Sequence, residues 1–229
     1  MTEVFAHRGA HHNARENTLA AFRAALEIGV DGVELDVRKT ADGVLIIHHD
    51  PRIDGRALAR EDAAALPPYV PRLDEALTLM RGLTVNVEIK NSRDLDEPAY
   101  DDTGTFARDV LDYLRDASWT DAAIVSCFDR ATCEVIRAHD PNVRVAWLVY
   151  EGSLREALRA ARDLGFNAVN PHFSMITPEN MGLAGELGLS INVWTVNKAR
   201  DIVALGELGV ASVITDEPEL ALDLFRATE

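Results

Sequence analysis

Residues 27–34 read "EIGVDGVE", and the pattern returns as "DLGFNAVN" at 163–170, "ELGLSINV" at 186–193 and "ELGVASVI" at 207–214. In each, an acid and an aliphatic residue precede a glycine, and an apolar run follows after a short link. Gly29, Gly165, Gly188 and Gly209 suit the left-handed position just past a helix, where a missing Cβ removes the steric penalty. Each segment therefore reads as a helix stopping and a strand starting, the α-to-β half of a repeating unit.

The other half is equally regular. Val- and Ile-rich runs place strands at roughly 4–8, 32–37, 84–90, 122–127, 143–149, 168–171, 190–195 and 212–215. Their near-continuous apolarity is that of buried parallel strands. Helical spacing follows each: Leu19, Phe22 and Leu26 after the first, Phe106, Val110 and Leu114 after the third. Ser153 with Glu156, Thr177 before Pro178, and Asp216 just before Pro218 are helix-start signals. Eight strands alternating with eight helices predict an α/β fold, a (β/α)8 TIM barrel, as a single domain over residues 1–229. A doubly wound open sheet is the competitor, and it lacks its GxGxxG nucleotide turn here.

The stretch "GVELDVRKTADGVLIIHHD" (32–50) breaks the alternation. Its "TADG" link is too short for a parallel crossover, which needs about ten or more residues. Residues 37–49 are therefore expected to form a β-hairpin excursion after the second strand. Counting symmetrically about Asp42–Gly43 sets His49 opposite roughly Asp36. Residues 51–72 read as a short excursion with a small helix and a Pro-rich end, and 91–104 as a long polar loop. Both lie on the C-terminal side of strands, where barrel active sites lie.

Composition narrows the function classes. A formal net charge of -15 argues against nucleic acid or an anionic membrane as partner, since both require a cationic footprint. A small anionic substrate stays compatible, because one metal ion can invert the local field. No run approaches the ~18–20 apolar residues of a membrane span, so no integral membrane association is expected. The start "MTEVFAHRG" lacks a basic-then-apolar leader, which makes the cytoplasm the expected location. Two cysteines, Cys127 and Cys133, provide no disulfide framework and no CxxC pattern. The helices carry no signature of an oligomer interface.

Residues i and i+2 of a strand share a face. Glu34 and Asp36 therefore point one way, as do Asn86, Glu88 and Lys90. Unpaired carboxylates buried together are costly. Two readings account for them. Three oxygen ligands from neighbouring strands suit a hard divalent cation, Mg²⁺ or Ca²⁺; alternatively, Lys90 and Arg38 neutralise the acids in a salt-bridge network. His7 ends the first strand and His49 returns on the hairpin, so both reach one mouth, and imidazole is the side chain whose unperturbed chemistry suits proton transfer near neutrality. Arg8 follows His7. His48 is expected to point away, either as a packing residue or as a support behind the site residues. His11 and His12 are substrate contacts or plain surface, His139 is structural and His172 admits either role. Glu16 and Asn17 in "RENT" (15–18) face the mouth or belong to a helix start, with Asn17 or Thr18 as N-cap. Trp194 is either core filler or a wall for an apolar or glycerol-like group.

Together "HRG" with "ENT", "ELD", "DG" before "HHDP", "VEIK", "CF", "VWTVN" and "GVASVITDEP" resemble, in order and over nearly the whole chain, the glycerophosphodiester phosphodiesterase family. The resemblance implies the same barrel and metal-dependent hydrolysis of glycerophosphodiesters to sn-glycerol 3-phosphate and an alcohol. It implies Glu34, Asp36 and Glu88 as ligands of one divalent cation and His7 and His49 as the acid–base pair. It further implies Arg8 at the phosphate, Lys90 as a basic partner of the site, and Glu16 and Asn17 as the polar pair after "HRG"; Trp194 joins the substrate-binding set from its place at the end of the seventh strand. This chain departs from the family where Arg15 replaces the usual proline before "ENT" and where "RIDGRAL" follows "HHDP". Attack by the glycerol 2-hydroxyl through a cyclic phosphate, or by water directly, both fit. Alternatives are a lysophospholipase D-type phosphodiesterase, a Schiff-base aldolase on Lys90, and an inactive glycerol-phosphate-binding barrel.

Overall fold

The computed structural model describes residues 1–93 and 98–226. Eight parallel strands close on themselves: β1 (Glu3–His7), β2 (Gly32–Lys39), β6 (Thr84–Ile89), β7 (Ala123–Cys127), β8 (Arg144–Val149), β9 (Ala168–Pro171), β10 (Ser190–Val193) and β11 (Ser212–Thr215). Each pairs with the next in this order, and β1 pairs with both β2 and β11 to shut the ring. The helices between them are α1 (Leu19–Ile28), α2 (Leu73–Leu79), α3 (Thr105–Asp116), α4 (Arg130–His139), α5 (Leu154–Asp163), α6 (Pro178–Leu187), α7 (Ala199–Glu207) and α8 (Pro218–Arg226). The expected (β/α)8 TIM barrel is the observed fold. No helix among the described residues is long and apolar enough to cross a membrane.

The four repeat glycines end their helices as read. Gly29 and Gly188 sit at φ 80° and 68°, Gly165 and Gly209 at 72° and 78°. Thr18, Ser153 and Thr177 accept hydrogen bonds from the backbone N–H groups of Ala21, Glu156 and Asn180, capping α1, α5 and α6.

Strand alternation splits the core into two layers. Val33, Leu35 and Val37 of β2 and Val85, Val87 and Ile89 of β6 pack outward with Phe22, Leu77 and Leu111 of the helices. Inside the barrel a smaller cluster of Phe5, Ile124, Ala146, Ala168 and Ile214 forms the floor beneath Trp194. Gly32 lies where Phe5 needs room: a Cβ there would stand 2.6 Å from the Phe5 Cζ. Gly32→Ala is therefore expected to cost about 1–3 kcal/mol by overpacking, read as a lower midpoint in chemical denaturation. An unchanged midpoint would mean that the ring moves aside freely.

Strand β3 (Leu45–Ile47) runs antiparallel on β2, as the short link required. The register differs from the expected one. Val37 faces Ile47, and the His48 N–H donates to the Asp36 carbonyl at 2.9 Å. His48, not His49, stands opposite Asp36. The turn centres on Asp42 rather than on the Asp42–Gly43 bond, since Thr40 Oγ1 bonds Asp42 and Gly43 takes φ 82°. The 51–72 excursion holds a two-stranded ribbon, β4 (Arg52–Ile53) with β5 (Arg56–Ala57), and two 3₁₀ turns in place of the expected small helix. Ile46, Ile53 and Leu58 give it an apolar cluster of its own. In the polar loop expected at 91–104, residues 94–97 lie outside the described residues.

Candidate active site

The ladder between β2 and β6 builds the centre. It sets Glu34 beside Asn86 and Asp36 beside Glu88. Inward alternation then brings one carboxylate oxygen each from Glu34, Asp36 and Glu88 within 4.8 Å of one another. Glu34 Oε1 and Asp36 Oδ1 are buried and accept no hydrogen bond. Burial, then Asp36 and Glu88, push the Glu34 carboxyl well above the ordinary range. Burial acts the same way on Asp36, but Lys90 and Arg8 outweigh it and hold that carboxyl well below the ordinary range. The donor set is all oxygen, anionic, and short of partners on two buried atoms. It fits a hard divalent cation. The salt-bridge reading is realised in part: Lys90 Nζ reaches Glu88 at 2.7 Å and Asp36 at 3.4 Å, yet two oxygens are still without hydrogen bonds.

Arg8 leaves β1 in the left-handed region, at φ 56°. That turn aims its N–H at Glu34 Oε2 (3.0 Å) and its guanidinium at Asp36 (3.2 Å) and Glu16 (2.9 Å). Thr18 takes the cap of α1, which frees Asn17. The Asn17 amide donates to Asp36 Oδ2 at 2.6 Å, and its backbone N–H donates to the Arg8 carbonyl. Glu16 and Asn17 thus meet the centre through Arg8 and Asp36, and line a neighbouring groove with Arg15, His48 and Tyr69. Arg15 stacks 4.0 Å over the Tyr69 ring, tying the start of α1 to the 51–72 excursion.

His7 Nδ1 lies 2.7 Å from Asp216 Oδ1, and its Nε2 is 3.9 Å from Glu34. Asp216 also meets His11 Nε2 (3.0 Å) and accepts from the Asn197 amide (2.6 Å). Burial would raise the Asp216 carboxyl, but the bonds from His11 and His7 hold it far below its usual range. Sequence reasoning took Asp216 only as a helix start; "TDEP" has no period that marks a partner 209 residues away. On the opposite side Arg38 grips the His49 carbonyl with Nε (2.9 Å) and Nη2 (2.7 Å). The sequence reading gave Arg38 to the acids. His49 Nδ1 meets Asp50 Oδ1 at 2.8 Å. Burial favours its neutral form. His48 turns away and bonds the Asp50 carbonyl.

A cavity of about 130 Å³ collects these groups. His7, Arg8, Glu34, His49, Glu88, Lys90 and Trp194 line it, with Asn86 at its floor. Both amide atoms of Asn86 are buried without a hydrogen-bond partner. Trp194 covers the inner cluster and lines the cavity, anchored by its indole N–H on the Asn170 carbonyl at 2.8 Å.

A family model described as the glycerophosphoryl diester phosphodiesterase family matches residues 7–67 and 55–220. The chain is similar to a glycerophosphodiester phosphodiesterase of Caldanaerobacter subterraneus subsp. tengcongensis, 28% identical over 246 residues, spanning 98% of this chain and 98% of the relative. A crystal structure of a glycerophosphodiester phosphodiesterase from Parabacteroides distasonis superposes with a TM-score of 0.86 at 25% identity, over 100% of this chain and 98% of that one. A phosphodiesterase from Oleispira antarctica, solved in complex with the product sn-glycerol-3-phosphate, shares the fold with a TM-score of 0.85 at 21% identity, over 99% of this chain and 97% of that one.

Proposed function

The chain belongs to the glycerophosphoryl diester phosphodiesterase family, and from that membership we propose that it hydrolyses glycerophosphodiesters to sn-glycerol 3-phosphate and an alcohol. The observation that carries this reading is the convergence of three carboxylates beside two histidines, each backed by a carboxylate on Nδ1. Glu34, Asp36 and Glu88 would hold one divalent cation, Mg²⁺ or Ca²⁺. When bound, it supplies positive charge to the phosphoryl oxygens.

Arg8 and Lys90 keep two more positive charges at the cavity wall, where charge grows in the transition state. The Asn86 amide, short of partners, suits a glycerol hydroxyl. Asp216 accepts the Nδ1 proton of His7, which leaves Nε2 free to take a proton from the attacking hydroxyl, on glycerol C2 or on water. His49 borders both this cavity and a second, larger one, whereas His7 lines only the first. His49 therefore stands on the leaving-group side, and its protonated form, which burial makes scarcer and nearby Asp36 supports, gives its proton to the departing alcohol oxygen as the P–O bond breaks. If a cyclic phosphate forms, the two exchange roles: His49 takes a proton from water and His7 returns one to the glycerol oxygen.

The direct test is release of glycerol 3-phosphate from glycerophosphodiesters with Mg²⁺, with Ca²⁺ and with chelator. Chelator-sensitive release is expected; no release from any diester by folded, metal-supplied protein would overturn the reading. Two further results follow. Asp216→Asn is expected to lower kcat roughly 10–100-fold with little change in KM, as loss of an orienting partner does; an unchanged kcat would remove Asp216 from the proton path. Cation affinity should also rise with pH. Glu34 keeps its proton above the ordinary glutamate range, a ligand must be deprotonated, and binding therefore expels that proton. The affinity gain should level off once pH exceeds the raised value. Calorimetric titration in two buffers of different ionisation enthalpy would read the proton release. A pH-independent affinity without release would show that Glu34 is already ionised.

A further inference from the structure

The larger cavity, about 660 Å³, opens off the reacting centre and shares His49, Glu88 and Lys90 with it. We infer that it is a subsite for a quaternary ammonium alcohol, so that choline diesters are the preferred substrates; this rests on the hydrolase reading above. Three aromatic residues, Phe128, Trp147 and Tyr150, line it from the ends of β7 and β8. Among the described residues, the exposed large hydrophobics are Met1, Phe128, Tyr150 and Leu220. Two of these four front this one cavity. An apolar aromatic surface left open beside a reactive centre is what a ligand with an apolar, cationic end covers. The Trp147 indole N–H donates to the Phe128 carbonyl at 3.1 Å, holding two of the three aromatics together.

Charge favours the same occupant. The cations bordering the cavity are engaged with protein groups: Lys90 with Glu88 and Asp36, Arg38 with the His49 carbonyl, and Arg93 over the Tyr100 ring at 4.4 Å and 3.8 Å from Asp129. Glu151 adds an exposed carboxylate at the rim. The whole chain carries -15, a field that draws cations toward its clefts. A trimethylammonium group donates no hydrogen bonds, so an aromatic wall satisfies it. A primary ammonium brings three donors that each need an acceptor. A polyol alcohol needs still more polar partners.

The test compares kcat/KM for glycerophosphocholine, glycerophosphoethanolamine and glycerophosphoglycerol on the metal-supplied protein. A choline-to-glycerol ratio of about tenfold or more is expected. Tyr150→Ala, at an exposed position, should bring that ratio down several-fold, and Tyr150→Phe should restore it because the ring face is kept. Equal rates on all diesters, or a parallel loss on all of them in Tyr150→Ala, would each overturn the inference. Binding of free choline, followed by calorimetry, reads the cavity without turnover. Saturable binding that Tyr150→Ala weakens supports the subsite even if no diester is cleaved, a result that would sink the hydrolase reading alone. No choline binding overturns the subsite.

Discussion

Glu34→Gln is expected to abolish cation-dependent turnover while leaving the metal-free fold intact. The two halves have one cause. Burial and two neighbouring carboxylates already push Glu34 toward its protonated form, and glutamine is the neutral analogue of that form. Its carbonyl oxygen can still accept the Arg8 N–H that Glu34 Oε2 accepts at 3.0 Å. A cation held as proposed would, by contrast, lose one of three anionic ligands. That loss should exceed the roughly 10–100-fold in affinity that an outer partner costs. At a cation concentration of 100 Kd the wild-type protein should gain about 2.7 kcal/mol of stability, and the variant almost none at the same concentration. Thermal denaturation with and without Mg²⁺ or Ca²⁺, beside a glycerol 3-phosphate assay, checks both halves. A variant that turns over normally would remove Glu34 from the ligand set. One that unfolds without metal would show that its charge is structural.

His49→Ala should lower turnover of alkyl-alcohol diesters by about 10² to 10⁴. The size alone does not separate acid from base, but the leaving group does. A p-nitrophenyl ester of glycerol phosphate departs as a stable anion and needs little protonation. On it His49→Ala should recover most of its lost rate, while His7→Ala should stay impaired on both substrates. The position of His49 between the two cavities motivates this assignment. Recovery in His7→Ala instead would exchange the roles. Equal impairment of both variants on both substrates would deny either residue the part of acid to the leaving alcohol.

Much of this protein is legible in its sequence. Helix stops at Gly29, Gly165, Gly188 and Gly209 and the apolar strand runs repeat with short periods, and local backbone sterics enforce them. Glu34 and Asp36 share a face because strand period is two, and the same holds for Asn86 and Glu88. That the two pairs stand side by side follows from consecutive strands of one barrel, which the count of βα units implies. The four-residue link between Lys39 and Val44 excluded a crossover by length alone. These statements rest on local spacing and on the order of the βα units, so the sequence by itself determined the barrel, the hairpin and the carboxylate row.

What the tertiary structure decided involves distant partners or one-residue offsets. Asp216 meets His7 only because closure of the ring lays β11 beside β1. Asn17 reaches Asp36 because Thr18, one residue later, takes the helix cap. The hairpin register slipped by one from the symmetric count, which alone would have exchanged the two histidines. His49 still reaches the mouth because β3 ends at Ile47 and Arg38 grips the His49 carbonyl, so the chain after the strand no longer obeys its alternation. Periodicity carries no information once a regular element ends. There, hydrogen bonds between side chains and backbone, set by the packed whole, choose where each group points.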